Sequence, residues 1–133
     1  GKDLSQGEII LCEGYATGAS LHMATGKPVA VAFDSGNLLS VAEALRSRYP
    51  NAAMTICADN DHAMKRDGKP YNVGLEKARA TAQAVNAKVI APTFTREETA
   101  RGLTDFNDLH QSRGLDAVRK QLGIREQSRG MER

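Results

Sequence analysis

The chain has 133 residues, 41% of them hydrophobic and 26% charged, which is an ordinary globular composition and suits one domain. No apolar run approaches the roughly 20 residues of a membrane-spanning helix, and no repeat or low-complexity tract interrupts the chain. A formal net charge of +2 argues neither for nor against nucleic acid.

The first apolar run, Ile9–Cys12, is short enough for a strand and lacks polar alternation, as in strands covered on both faces. It ends at Glu13 in "ILCEGYATG". A weak helical pattern from Tyr15 to Ala24 follows, with Gly26 and Pro28 suited to a helix exit. The second run, Val29–Phe33, leads into "FDSGNL", where Ser35 or Asn37 is placed to cap the next helix. Alternatively, Asp34 and Asn37 turn toward the edge where Glu13 lies. Leu38, Val41, Ala42, Leu45 and Tyr49 keep helical spacing until Pro50-Asn51 ends it.

The third run, Met54–Ala58, is broken only by Thr55 and opens onto "ADND", residues 58–61. After residues 62–72, "HAMKRDGKPYN", a helical stripe returns at Leu75, Ala78, Ala82 and Val85. A fourth run spans Val89–Ala91. "LTDFNDLH", residues 103–110, comes next, and Leu115, Val118 and Leu122 form a last helical stripe. The order βαβαβαβ plus a final helix predicts a three-layer α/β/α sandwich around a mainly parallel four-stranded sheet. Cys12 and Cys57 lie inside apolar runs and are expected to be buried, reduced thiols.

Ligands bind such sheets outside the carboxyl ends of the strands. Glu13 ends the first strand there, and Asp59 and Asp61 end the third with period-two spacing. Asp105 and Asp108 fall in a segment expected to return to that edge, with Phe106 and Leu109 anchoring it in the core. Were Glu13, Asp59 and Asp61 to converge to about 5 Å, each pair would repel by roughly 3 kcal/mol at an effective dielectric near 20. That is a large fraction of a domain's stability. The cluster must then bind a cation, hold protons or stand further apart. Oxygen-only ligands suit Mg²⁺, or Mn²⁺ in its place, and such ions serve phosphoryl chemistry. Singly, a strand-end acid such as Glu13 or Asp105 reads first as a solvated turn residue; jointly with the D-x-D, they point to a site.

"EGYATG", "ADND" and "TDFNDLH" on this strand–helix frame resemble the Toprim domain of primases, topoisomerases and some nucleases, over roughly residues 7–123. "AFDSGNL" and "DFNDLHQSRG" look most like the Toprim segment of plasmid and phage primases, including forms fused to conjugative relaxases. The resemblance implies a Rossmann-like catalytic domain over residues 1–124, followed by a flexible basic tail or linker at 125–133. It implies that Glu13 moves protons, that Asp59 and Asp61 hold Mg²⁺ or Mn²⁺, and that Asp105 is a third metal position, with Asp108 a further one. Primer synthesis from nucleoside triphosphates on single-stranded DNA would follow, aided by other domains of a longer cytoplasmic protein, with no membrane partner. Two alternatives remain: a nuclease using the same acids, and a docking domain without catalysis.

Thr17 departs from the family pattern, since many primases carry an aspartate there, and it leaves less charge for a second ion. With Asn60 and Asn107 it is a candidate for orienting carboxylates or water. Lys65, Arg66 and Lys69 lie in the segment inserted after the D-x-D. They read either as contacts to template or triphosphate phosphates or as a solvated loop. His22, His62 and His110 do not form a zinc spacing with the cysteines, although His62 follows Asp61 directly. No phosphate-loop fingerprint is present. Three tyrosines and three phenylalanines are too few for an interleaved base-stacking platform of the single-strand-binding kind.

Overall fold

The computed structural model describes residues 7–61, 65–66, 68–70 and 72–124; for residues 35, 65, 66, 69 and 70 it describes the backbone alone. Four strands, β1 (Glu8–Cys12), β2 (Val29–Val31), β3 (Ala53–Cys57) and β6 (Lys88–Ile90), form one parallel sheet in the order β2-β1-β3-β6. Leu11 sits beside Ala30 and Ile56, and Ile56 beside Val89. β1 is therefore central and buried, and Glu13 emerges from the middle of the sheet.

Alternation along the strands sorts the core into two halves. Leu11, Met54, Ile56 and Ala58 face helices α2 (Leu38–Arg48) and α3 (Val73–Val85), where Leu38, Ala42, Ala78, Ala82 and Val85 are buried. Ile10, Cys12 and Cys57 face α1 (Tyr15–Thr25), α5 (Phe106–Arg113) and α6 (Leu115–Gln121). The result is the three-layer α/β/α arrangement. Cys12 and Cys57 are both free and buried, and burial pushes each thiol up to about 12. Among the described residues no helix is long and apolar enough to cross a membrane.

The structure also differs from the sequence reading. The second apolar run is strand only to Val31; Phe33 is 71% exposed in the left-handed region, at φ 75°. Pairing with β1 nevertheless continues, because the Ala32 and Phe33 amides donate to the carbonyls of Cys12 and Glu13. Between β6 and α6 the chain forms two further helices, α4 (Arg96–Ala100) and α5. Both are short and begin at capping boxes, Thr95 with Glu98 and Asp105 with Asp108. Asn37 stands at the N-cap of α2, but its side chain caps nothing and instead donates to the Ala32 carbonyl at 3.3 Å. In the insert, β4 (Lys65–Arg66) and β5 (Lys69–Pro70) pair antiparallel. His62 and the tail at 125–133 lie outside the described residues.

Gly18 sets the distance between α1 and the sheet. A Cβ there would stand 2.8 Å from Val31 Cγ2 and 3.3 Å from Cys12 Sγ, so only glycine lets the helix sit this close. That approach places Thr17, buried on the same turn, behind the carboxyl edge.

Candidate acidic site at the carboxyl edge of the sheet

The acids predicted from the sequence gather at one edge. Asp59 follows the end of β3, half-buried, and burial is the largest influence on it. The charges of Glu13, Asp105, Asp61 and Asp108 add to that in the same direction, and together they push its carboxyl up to about 7. Every influence named for Asp59 disfavours its charge. Burial also raises Glu13, with Asp61 and Asp34 adding to the shift and Lys77 opposing it.

Asp105 is the N-cap of α5: its Oδ1 accepts from the Asp108 amide at 2.7 Å. Asp108 Oδ2 accepts in return from the amides of Thr104 (2.8 Å) and Asp105 (3.2 Å). Both carboxylates are thus aimed by the first turn of the helix, which Phe106 and Leu109, both fully buried, lock to the sheet. Burial raises the Asp105 carboxyl, while hydrogen bonds from the Asp108 amide and the Thr17 side chain pull it back. Thr17 therefore bears on the site as a hydrogen-bond partner of Asp105.

Asp61 is held differently. Its Oδ2 accepts from the Gly74 amide at 2.8 Å, and its own amide donates to Asn72 Oδ1 at 2.8 Å. A Cβ on Gly74 would meet Asp61 Oδ2 at 2.9 Å and the Asp59 carbonyl at 3.1 Å. The start of α3 can approach the D-x-D only because residue 74 is glycine. Asn72 caps α3 through the Leu75 amide (3.2 Å) and donates to Asn60 Oδ1 at 2.7 Å. It closes the base of the insert, so the chain leaves at Asp61 and returns beside it.

The remaining predicted residues fall as follows. Asn60 donates to the Pro92 carbonyl at 2.9 Å, and its amide donates to the Thr104 carbonyl at 2.7 Å. Its side chain thus fixes the loop carrying Asp59 and Asp61 rather than touching either carboxylate. Asn107 donates to Ser20 Oγ at 3.1 Å, and Ser20 also bonds His110 Nδ1 at 2.9 Å, tying α5 to α1. Lys65, Arg66 and Lys69 lie on the β4–β5 hairpin in the register Lys65↔Pro70 and Arg66↔Lys69. Their side chains lie outside the described residues.

Sequence reasoning passed over Asn72, Gly74, Lys77 and Glu98. An N-cap asparagine two residues before a helical glycine was a visible signal for the first two, and Thr95-x-x-Glu98 for the last. Nothing local marks Lys77, whose relation to Glu13 exists only across the fold.

An all-oxygen donor set burdened with mutual repulsion fits a hard divalent cation. Among the described residues, no three His, Cys, Asp or Glu side chains already stand as a ligating group.

A parallel sheet with clustered acids at its carboxyl edge defines the class, and a family model described as the Toprim domain matches residues 8–116. The chain belongs to the Toprim domain family. Two curated relatives, both named DNA primase TraC and both from Escherichia coli, are 44% identical over 91 residues and 40% identical over 92. The matches cover 68% and 69% of this chain but only 6% and 9% of those proteins. The chain thus spans less than a tenth of their length. No solved structure gives a significant match.

Proposed function

We propose that this chain supplies the metal-dependent acidic centre of a DNA primase, which joins ribonucleotides into a primer on single-stranded DNA. The relatives bearing that name support the reading. The observation that carries it is Asp59, a half-buried carboxylate whose burial and four neighbouring acids all disfavour its charge. Such a cluster is costly unless a cation joins it.

Asp59, Asp61 and Asp105 would hold Mg²⁺ or Mn²⁺, with Asp108 aiming Asp105. When bound, the ion supplies charge neutralisation for a triphosphate and favours ionisation of a hydroxyl beside it. Glu13, raised toward neutrality by burial and Asp61, accepts the proton of the primer 3′-hydroxyl as its oxygen attacks the α-phosphorus and pyrophosphate leaves. Lys77 acts on Glu13 from α3 and limits how far that pKa rises. The basic hairpin at Lys65, Arg66 and Lys69 would add contacts to template or triphosphate phosphates. Thr17, Asn60 and Asn107 keep the acid-bearing segments in register.

A Mn²⁺ titration of the labelled chain, followed by amide broadening, tests the metal. Broadening should centre on residues 13, 59, 61 and 105 and disappear in an Asp59→Asn/Asp61→Asn variant. The longer protein carrying this domain should then make primers on single-stranded DNA and lose that ability with the same substitutions. DNA cleavage without triphosphates would replace the primase reading with a nuclease. Unchanged function in the double variant would replace it with a docking role.

A further inference from the structure

Two of the most exposed large apolar side chains flank Glu13. Among the described residues, Tyr15 is 72% and Phe33 71% exposed, whereas Phe106 is fully buried and Tyr49 and Phe94 are half-buried. Tyr15 opens α1 two residues after Glu13. Phe33 arrives from β2, and its amide donates to the Glu13 carbonyl at 2.6 Å. Both rings therefore depart from backbone directly beside the acid assigned to proton transfer.

Phe33 is also strained. At φ 75° its Cβ crowds the backbone, and a bulky residue rarely occupies this region. Among the described residues, the other non-glycine at positive φ is Asn86, of a type that tolerates it. An exposed ring gains little from burial, so packing does not compensate the strain, and glycine would be the relaxed choice. Strain held without a packing reason points to a use for the side chain.

We propose that Phe33 and Tyr15 form a nucleobase-stacking face beside the acidic centre. Asp61 and Asp34 act on Glu13 there, opposed by Lys77, and without a cation such a rim repels phosphates. Stacking on a ring needs no charge complementarity and tolerates any base, so it lets an acidic edge hold a nucleotide. A protein partner fits less well, because the core of a protein interface is depleted of charge. Two rings are not an interleaved platform; they suit one or two bases. The choice of a nucleobase as occupant rests on the function proposed above.

The test uses two fluorescent probes with the chain in Mg²⁺: 2-aminopurine riboside triphosphate, and an oligothymidylate carrying one 2-aminopurine. Saturable quenching by the triphosphate assigns the face to the reacting nucleotide, and by the oligonucleotide to template. Phe33→Gly and Tyr15→Ala should each weaken binding by about 5- to 100-fold, and Phe33→Trp should retain it. Phe33→Gly should also melt a few degrees higher, since glycine relaxes the backbone there, so lost quenching would not reflect unfolding. No quenching of either probe, or quenching untouched by both deletions, overturns the proposal and leaves the rings to a neighbouring domain. Mn²⁺ broadening in the same samples keeps the two readings apart. Metal binding without quenching sinks only the stacking face, and quenching without metal binding sinks only the metal centre.

Discussion

Glu98 and Asp59 are carboxylates withdrawn from water at two places in the fold, one in a helix and one at the end of a strand, and their surroundings act on them in opposite senses. Glu98 is 3% exposed in α4. It accepts from Ser112 Oγ at 2.6 Å, from the Thr95 amide at 2.8 Å and from Arg113 Nε at 3.0 Å. Those partners, the Ser112 hydroxyl first, hold its carboxyl down to about 2. Asp59 has burial and four acids acting on it, and lies at about 7. A buried acid given donors is a structural joint: Glu98 ties α4 to α5 and so braces the helix that aims Asp105. A buried acid surrounded by other acids adds no stability in the absence of a cation, and such positions cluster at functional sites.

The contrast is broken most severely at Glu13. Glu13→Gln is expected to reduce primer synthesis by the longer protein carrying this domain by about 10²- to 10⁴-fold, the usual span for a lost general acid or base. Its melting temperature should be no lower than the parent's, because burial and Asp61 already disfavour the charge. Gly74→Ala ranks next. Its Cβ would force the D-x-D away from α3, costing about 1–3 kcal/mol of stability and weakening Mn²⁺ broadening at Asp61. Urea unfolding and NMR read the two effects. Glu98→Gln should lower the melting temperature by several degrees yet leave the Mn²⁺ response in place, because it removes a joint and not a ligand.

Asp59→Asn should do the reverse, stabilising the metal-free protein while abolishing metal binding. The shift from 3.8 to about 7, discounted for the part of the carboxylate that water still reaches, corresponds to about 1–2 kcal/mol. Equilibrium unfolding without metal measures it.

The smallest effects are in pH. The Glu98 pKa is depressed from 4.5, so its stabilisation is present above that value and fades as pH falls toward 2. The Asp59 pKa is raised, so its contribution is fully present below 3.8 and is lost as pH rises through about 7. Metal-free unfolding curves should therefore show two slopes of opposite sign. Asp59→Asn should remove the upper one and Glu98→Gln the lower. Mn²⁺ competes with the Asp59 proton, so its affinity should climb as pH approaches 7 and level off above it.

Local pattern already contained much of this molecule. Short unalternated apolar runs marked the four strands, most plainly the buried central pair β1 and β3, because a doubly covered strand has no polar face, and the acids were visible at their ends. Phe106 and Leu109 were readable as anchors. The helices α4 and α5 were not, because one or two turns carry too little periodicity to register; the capping boxes that begin them stand in the sequence and were passed over. Phe33 looked like the end of a strand, and only the backbone places it outside the core in the left-handed region.

Composition and periodicity were sufficient for the layered α/β frame and for which residues could be acidic ligands, since burial on one face or two imposes its own spacing along the chain. Whether those acids meet, which carboxylate bears the repulsion, and that Thr17, Gly74 and Lys77 bear on them were settled by packing. These are relations between residues tens of positions apart, and no local spacing encodes the distance at which a helix docks on a sheet.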